Sequence, residues 1–406
     1  MITHGTRRPI EAHPIEFTGS GAEYFRVWIV NVLLTIVTLG IYTPWARRRT
    51  AQYFYSHTHV AGSPLEFAAQ QRKMVIGFLM MAALYLAYQI AAETGQDLAT
   101  SLLLIGFVVL SPFLWASAMR FRLGATRWRG IRLAFTASWR EVYAASWPVF
   151  AIAAIWAATL VGVRMLLPDS PAETSPNGVP MWLGRINGTM VAAVGVSVLL
   201  SLMCLIRLEY NYRSLLVRRA RIGQQSGRWK PVYWDFVRVW LATLAFLIVS
   251  LFAASLLMAL LVGGPLAALV PRNSGADLGA IFLLFIALTL GGILAFMIAT
   301  LPVRAYREAR MFQLVWNHIG VSHIARFKSS LRTAPFVWLR LRNMLWTLLT
   351  LGFYSPFAKV SEYAAKVESV TLHLKGGTDQ LAGELVRQQG AFADAAADAL
   401  GLDLIG

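Results

Sequence analysis

Two of the seven histidines are the residues whose spacing most readily suggests chemistry. His57 and His59 are separated by one residue, so a β-strand would place both imidazoles on one face as ligands for a metal ion. A protein metal site needs at least one further ligand, and the nearest candidate is Glu66. We interpret the pair as ordinary polar residues of a loop. The sequence predicts no metal ion and no cofactor.

Motifs that carry common enzyme chemistry are absent from the sequence. There is no G-x-x-x-x-G-K-[ST], no G-x-G-x-x-G after a strand, no G-x-S-x-G and no H-E-x-x-H. The single cysteine, Cys204, excludes a disulfide or a cysteine-ligated cluster within one chain. We therefore expect a protein that is not an enzyme.

A polar motif that occurs twice is the best candidate for a functional element. Residues 31–47 align without gaps to residues 343–359 and are identical at nine of 17 positions. An asparagine and two threonines recur at i, i+4 and i+7, which is one face of a helix. They are followed by Leu-Gly-x-Tyr-[Thr/Ser]-Pro-[aromatic]-Ala-[Arg/Lys]. This candidate polar stripe consists of Asn31, Thr35, Thr38, Asn343, Thr347 and Thr350.

Two functions are compatible with the polar stripe. The two copies can line a polar path near the middle of a bilayer, as interrupted helices do in transporters. Alternatively, the asparagines and threonines form hydrogen bonds between helices that hold the two copies together. Both alternatives require that the stripe faces away from lipid, because lipid offers no hydrogen-bond partner.

The elements that position these residues are membrane helices. The chain has 406 residues, of which 57% are hydrophobic and 14% charged, a composition that excludes an ordinary soluble domain. Segments 27–45 and 338–357 are apolar but carry several polar residues. We predict an all-α polytopic membrane protein with about eight hydrophobic segments, these two being re-entrant if they do not span. The six clear spans are 74–92, 98–118, 143–167, 189–206, 236–262 and 279–303.

The net charge of +17 reflects membrane topology. The four loops 46–73, 119–142, 207–238 and 304–342 hold 27 of the 37 lysines and arginines, so the positive-inside rule places them in the cytoplasm. This distribution argues against nucleic-acid binding. The expected partner is the lipid bilayer, with anionic headgroups at the cytoplasmic face. The candidate contacts are Arg47, Arg48, Arg49, Arg127, Arg129 and Arg132.

A second signature predicts small β-like flaps at the cytoplasmic face. Thr58-x3-Gly62-x4-Phe67 and Thr126-x3-Gly130-x4-Phe135 have the same spacing, and His318-x3-Ser322-x4-Phe327 is a degenerate third copy. Around the first copy the residue types alternate and Gly62-Ser63-Pro64 supplies a turn. We expect short two-stranded structures at these positions.

The domain organisation depends on the orientation of the duplicated segments. We expect a single integral membrane domain over 1–376, with an internal duplication of 27–62 and 338–376, followed by an acidic tail over 377–406. If all eight segments span, the two copies have inverted orientations. If the two weaker segments are re-entrant or interfacial, the copies share one orientation.

At these motifs the chain resembles a known family. Phe17-Thr18-Gly19-Ser20-Gly21, Thr38-Leu39-Gly40-Ile41-Tyr42-Thr43-Pro44-Trp45-Ala46 and Thr126-Arg127-Trp128-Arg129-Gly130 are similar to the YjgN family of bacterial inner-membrane proteins of unknown function. The resemblance implies a multi-pass protein of the bacterial inner membrane and supplies no catalytic residue. We expect a transporter or permeation pathway for a solute, or else a non-catalytic scaffold that binds anionic lipid or a protein partner through its basic loops.

Overall fold

The computed structural model describes residues 10–166, 188–223, 225–269, 278–321 and 325–375. These residues form two compact units, one of residues 10–67 and 230–375 and the other of residues 68–229. The predicted tail over 377–406 and Ser322 of the third flap motif lie outside the described residues.

Along the chain, pairs of strands alternate with groups of two or three helices, and a single strand, β11, follows the last helix. The helices are α1 (Gly21–Val37), α2 (Thr43–Ser56), α3 (Gln71–Glu93), α4 (Asp97–Ala125), α5 (Trp139–Ala145), α6 (Trp147–Leu166), α7 (Gly188–Arg219), α8 (Tyr233–Leu269), α9 (Leu278–His318), α10 (Thr333–Leu349) and α11 (Ser355–Val367). The strands are β1 (Ile10–Pro14), β2 (Glu16–Phe17), β3 (Thr58–Val60), β4 (Ser63–Phe67), β5 (Thr126–Trp128), β6 (Ile131–Phe135), β7 (Ala220–Ile222), β8 (Gln225–Trp229), β9 (Ile319–Val321), β10 (Ala325–Ser329) and β11 (Val370–Lys375).

Six helices among the described residues are long and apolar enough to cross a membrane. They are α3, α4, α6 and α7 in one unit and α8 and α9 in the other. They coincide with the six clear spans predicted from the sequence. The third span begins at Trp147 and not at residue 143 as predicted, because Tyr143 belongs to the short helix α5, which ends before Ser146.

The expectation of eight spanning or re-entrant segments is not confirmed. The two weaker segments form helical hairpins, in which α1 reverses through residues 38–42 into α2, and α10 reverses through residues 350–354 into α11. Helices α1 and α10 have 17 residues each, about 25 Å at 1.5 Å per residue. That length is shorter than a bilayer core of about 30 Å.

Both hairpins reverse through the same Schellman turn. Gly40 N–H donates to the Thr35 carbonyl and Gly352 N–H to the Thr347 carbonyl, each at 2.7 Å, which is the bond that defines this motif. The left-handed position before each glycine is a leucine, Leu39 with φ of 50° and Leu351 with φ of 51°. Glycine is the usual residue there, and a left-handed leucine costs about 1–2 kcal/mol.

The predicted flaps are β-hairpins that join larger ladders. Hairpins β3–β4 and β5–β6 confirm the first two flaps, and β9–β10 falls at the degenerate third copy. The sequence did not predict hairpin β7–β8 or the pairing of β1 with β11. In one unit the strand orders are β1-β11-β10-β9 and β2-β3-β4; in the other the order is β5-β6-β7-β8. All four hairpins lie in the four basic loops, so the positive-inside rule predicts a cytoplasmic location for them.

Candidate functional site

The polar stripe connects the two helices of each hairpin. Asn31 Nδ2 donates to the Ala46 carbonyl at 3.4 Å, and Asn343 Nδ2 donates to the Ala358 carbonyl at 3.3 Å. Both asparagines are buried, with exposed fractions of 5% and 1%. Each copy therefore fixes the packing of its own second helix, α2 or α11.

The threonines of the stripe bond to their own helices and turns. Thr35 and Thr347 donate to the carbonyls of Asn31 and Asn343, four residues earlier, at 2.6 and 2.7 Å. In the following turn the hydroxyl of Thr38 accepts from Tyr42 N–H at 3.0 Å. Thr350 accepts in the same way from the backbone N–H of Tyr354 at 2.9 Å. The asparagine bonds to the second helix of its hairpin, and the second threonine bonds to the turn. The same spacing therefore recurs in both copies because each hairpin uses these bonds.

A groove of about 450 Å³ opens beside the first hairpin, between α1, α2 and the first half of α11. Its cations are Arg47 and Lys359, which occupy aligned positions in the two copies. None of its lining residues is acidic. The lining residues are Tyr24, Trp28, Asn31, Val32, Thr35, Ile36, Thr43, Ala46, Arg47, Thr50, Ala51 and Lys359.

One atom of this groove lacks a hydrogen-bond partner. Asn31 Oδ1 is buried and accepts no hydrogen bond within the part of the chain that the structure describes. An unpaired buried carbonyl oxygen is unfavourable by about 1–3 kcal/mol, so a water molecule that entered and donated a hydrogen bond to it would stabilise this part of the fold. The apolar residues Val32 and Ile36 continue the same wall. The groove thus combines two cations with an apolar flank, and the unpaired oxygen lies buried behind its wall.

A larger cavity of about 730 Å³ lies against α1, α2 and β4 and contains Arg49. The three consecutive arginines are therefore divided, because Arg47 lines the groove and Arg49 lines this cavity with Arg26. Glu66 also lines this cavity and offsets part of its positive charge. We regard the groove as the better anion site, since its two cations face no carboxylate.

Ser56 and His57 of this cavity, together with the nearby Glu23, resemble a nucleophile, base and acid, but their bonding excludes that role. His57 Nδ1 lies 3.3 Å from Ser56 Oγ, and His57 Nε2 lies 3.9 Å from Glu23 Oε2. However, Nδ1 also lies 2.8 Å from the Tyr53 carbonyl, an acceptor that requires the proton on Nδ1. That nitrogen is then unable to take a proton from Ser56.

Tyr53 supports this region as a permanent hydrogen-bond donor. Burial, together with the nearby negative charge of Glu23, raises the pKa of Tyr53 to about 12. The hydroxyl therefore stays protonated at physiological pH and donates to the Ser20 carbonyl at 2.8 Å. This bond holds the start of α1 against α2.

The other predicted arginines lie on a flap in the second unit. Arg127 and Arg132 are directly opposite each other on β5 and β6, a like-charge pair that is unfavourable without an anion. Arg127 Nε is buried without an acceptor among the described residues, and the same is true of Arg48 Nε on α2. Arg129 lies over the ring of Trp128, 5.3 Å from its centre. The six predicted arginines therefore do not form one binding site.

The two histidines do not form a pair. His57 ends α2 and faces Glu23, whereas His59 lies within β3 opposite Glu16. Over the described ranges, no group of three or more histidine, cysteine, aspartate or glutamate side chains is arranged to hold a metal ion. Lys359 is the residue that the sequence prediction omitted from the site, although its alignment with Arg47 was available as a signal.

The described residues contain six long apolar helices, with basic β-hairpins between α4 and α5 and between α7 and α8, and thus define a multi-pass α-helical membrane protein. The chain belongs to the family described as "Bacterial protein of unknown function (DUF898)", which matches residues 12–399. This family has no established activity.

Curated relatives place the chain in the bacterial inner membrane. It is 28% identical over 193 residues to inner membrane protein YjgN of Escherichia coli K12, covering 46% of this chain and 48% of the relative. The match to the Escherichia coli O157:H7 protein of the same name has the same extent. The chain thus spans about half the length of these relatives. Inner membrane protein YjgN of Salmonella typhimurium is 22% identical over 86% of this chain and 85% of its own length.

These comparisons confirm the resemblance to the YjgN family and the predicted location, the bacterial inner membrane. No solved structure matches the chain significantly.

Proposed function

We propose that this protein is a non-catalytic membrane scaffold that binds the anionic headgroup of a phospholipid in the cytoplasmic leaflet. The observation that carries the proposal is the groove beside the first hairpin, where Arg47 and Lys359 face no lining carboxylate. A phosphodiester accepts hydrogen bonds from both cations. Val32 and Ile36 suit the adjoining acyl chains.

Replacing both cations by Arg47→Gln with Lys359→Gln is expected to reduce retained phosphatidylglycerol at least about tenfold. Charge-assisted hydrogen bonds contribute about 1.5–3 kcal/mol each, and about 1.4 kcal/mol corresponds to a factor of ten. The measurement is native mass spectrometry of the detergent-purified protein after incubation with phosphatidylglycerol or phosphatidylcholine.

The matched control removes the same charge from the neighbouring cavity by Arg26→Gln with Arg49→Gln. We expect this variant to retain phosphatidylglycerol like the original protein. Equal losses in both variants would contradict the proposal, because they would indicate unspecific attraction to a basic surface. Displacement of the lipid by millimolar inorganic phosphate would assign the groove to free phosphate instead.

A permeation pathway is the second candidate function. The observation in its favour is that Asn31 and Asn343 both retain a buried Oδ1 without a partner among the described residues, an unfavourable state that a bound water molecule would relieve. A pathway lined by both copies requires water at both stripes.

Cysteine labelling separates these two functions. After Cys204→Ser, single cysteines are introduced by Thr35→Cys and Thr347→Cys and treated with a small polar thiol reagent in native membranes. We expect Thr347→Cys to react much more slowly than Thr35→Cys, because Thr35 lines the groove although both hydroxyls bond to their own helices in the same way. Rapid labelling at both positions would favour the pathway.

A further inference from the structure

The tips of the two helical hairpins carry exposed apolar residues in unfavourable backbone conformations. Leu39 and Leu351 are 93% and 91% exposed, although each occupies the left-handed position where glycine is usual. Neither leucine gains packing from the described part of the chain. The apolar tips comprise Ile36, Val37, Leu39 and Ile41 in the first hairpin and Leu349, Leu351 and Phe353 in the second.

Contacts between α9 and α10 fix the depth of the second tip. The helices run antiparallel, because Asn317 of α9 accepts from Ser329 N–H just before α10, whereas Glu308 pairs with Arg340 of α10. Leu349 lies nine residues beyond Arg340, about 13 Å along the helix. Arg304, at the start of the basic part of α9, lies four residues from Glu308, about 6 Å. The second tip therefore passes the level of Arg304 and reaches the apolar part of α9.

Exposed apolar residues of α9 occupy the level that the second tip reaches. Phe296, Met297 and Ile298 are about half exposed, and α9 is one of the candidate membrane spans. An exposed apolar surface on a candidate membrane span indicates that α9 faces hydrocarbon at this level.

The first tip lies at the same end of its unit as the second. Ring contacts join Phe54 of α2 to Tyr363 of α11, with centroids 4.7 Å apart. Each of these helices begins at its turn and runs towards this contact. Two further ring contacts give the relative direction, since Phe25 of α1 lies against Phe357 and Trp28 lies against Phe353. As α1 advances towards its own turn, its partners move back towards the second turn. Helices α1 and α11 are therefore antiparallel, and the two turns lie on one side of the contact.

Aromatic residues of the types found at membrane interfaces flank each turn. Tyr42 stacks on Trp45 in the first hairpin, and Tyr354 stacks on Phe357 in the second. Trp346 precedes the second turn and is about half exposed. Tryptophan and tyrosine concentrate at the headgroup level of bilayers, and the basic residue Arg47 follows the first turn along α2.

We infer that both hairpin tips insert part of the way into the cytoplasmic leaflet, with the side chains of Leu39 and Leu351 among the acyl chains. Each hairpin then lies in the membrane interface without crossing the bilayer. This inference goes beyond headgroup binding and does not depend on it, since insertion requires acyl chains and no particular headgroup.

The test measures the depth of single fluorophores in reconstituted vesicles. After Cys204→Ser, an environment-sensitive dye is attached at Leu39→Cys, Leu351→Cys or Lys328→Cys, the last an exposed site on strand β10. We expect lipids brominated on the acyl chain to quench at least half of the emission at positions 39 and 351. Aqueous iodide should quench strongly only at position 328.

Two outcomes would overturn the inference. Iodide quenching at 39 and 351 equal to that at 328 would place the tips in water. Protection from iodide without quenching by brominated lipid would mean that protein covers the tips. Thermal unfolding in detergent checks that each labelled variant is folded, and the variants Leu39→Asn and Leu351→Asn supply folded references because asparagine tolerates the left-handed conformation.

Discussion

Glu308→Gln is expected to lower the free energy of unfolding by about 2 kcal/mol, because one carboxylate neutralises two cations. Glu308 Oε2 lies 2.8 Å from Arg340 Nη2, and Glu308 Oε1 lies 2.8 Å from Lys366 Nζ. Arg340 also pairs with Glu362 at 2.9 Å. The network joins α9, α10 and α11, so its loss weakens the attachment of the second hairpin to a spanning helix.

The partial burial of the partners explains why this effect exceeds that of an ordinary surface ion pair. The side chains of Arg340 and Lys366 are 22% and 23% exposed, whereas exposed pairs contribute about 0–1 kcal/mol. A glutamine amide accepts from one cation at most and presents its N–H groups to the other. The measurement is the thermal unfolding midpoint in detergent, which we expect to fall by several degrees.

Glu368→Gln is the matched control for this prediction. Glu368 is exposed at the carboxyl end of α11, where a negative charge is slightly unfavourable. We expect its removal to leave the midpoint unchanged or slightly higher. If Glu308→Gln had no larger effect than Glu368→Gln, the ion network would not contribute to stability. The double variant Glu308→Gln with Lys366→Met should recover part of the loss, because it also removes the unpaired cation.

Gly227→Ala is expected to destabilise the second unit by about 3 kcal/mol or to prevent its accumulation in the membrane. Gly227 lies in β8, where a methyl group would stand 2.1 Å from the carbonyl oxygen of Val217. That oxygen belongs to the last turns of α7, so relief of the clash requires movement of the strand or the helix. A glycine within a strand often marks such a close backbone approach.

The neighbouring substitution Ser226→Ala separates the steric effect from a general sensitivity of the strand. Ser226 is exposed on β8 and pairs with Arg221 of β7. We expect it to change the unfolding midpoint little, as surface substitutions usually do. Both variants are compared by thermal unfolding and by the amount of protein in isolated membranes. Equal stability of the two variants would contradict the contact between β8 and α7.

Some strand pairings could be predicted from the local sequence and others could not. Gly62 and Gly130 supply the left-handed turn residues of two hairpins, and their spacing predicted both flaps. The hairpin β7–β8 has no such spacing and escaped prediction. The pairing of β1 with β11 joins residues 10–14 to residues 371–375, a separation for which no local pattern exists.

For the polar stripe, the sequence predicted which residues share a helix face but not their hydrogen-bond partners. Helical periodicity correctly places Asn31 and Thr35 on one face of α1, and the repeated sequence predicts the same for Asn343. Their partners depend on the turn between the helices, which brings Ala46 and Ala358 to the asparagines. Arg47 and Lys359 meet at one groove because α11 packs against α1, and neither turn by itself brings them together.

The sequence by itself determined the six membrane helices, the basic loops and the family, because apolar length, charge distribution and motif spacing are local properties of the chain. Only the tertiary structure decided that segments 27–45 and 338–357 turn back. A left-handed Leu-Gly pair reverses each helix, and apolar composition alone does not reveal backbone direction. The groove and the apolar tips were likewise set by tertiary packing, since they depend on which helices meet and at what level.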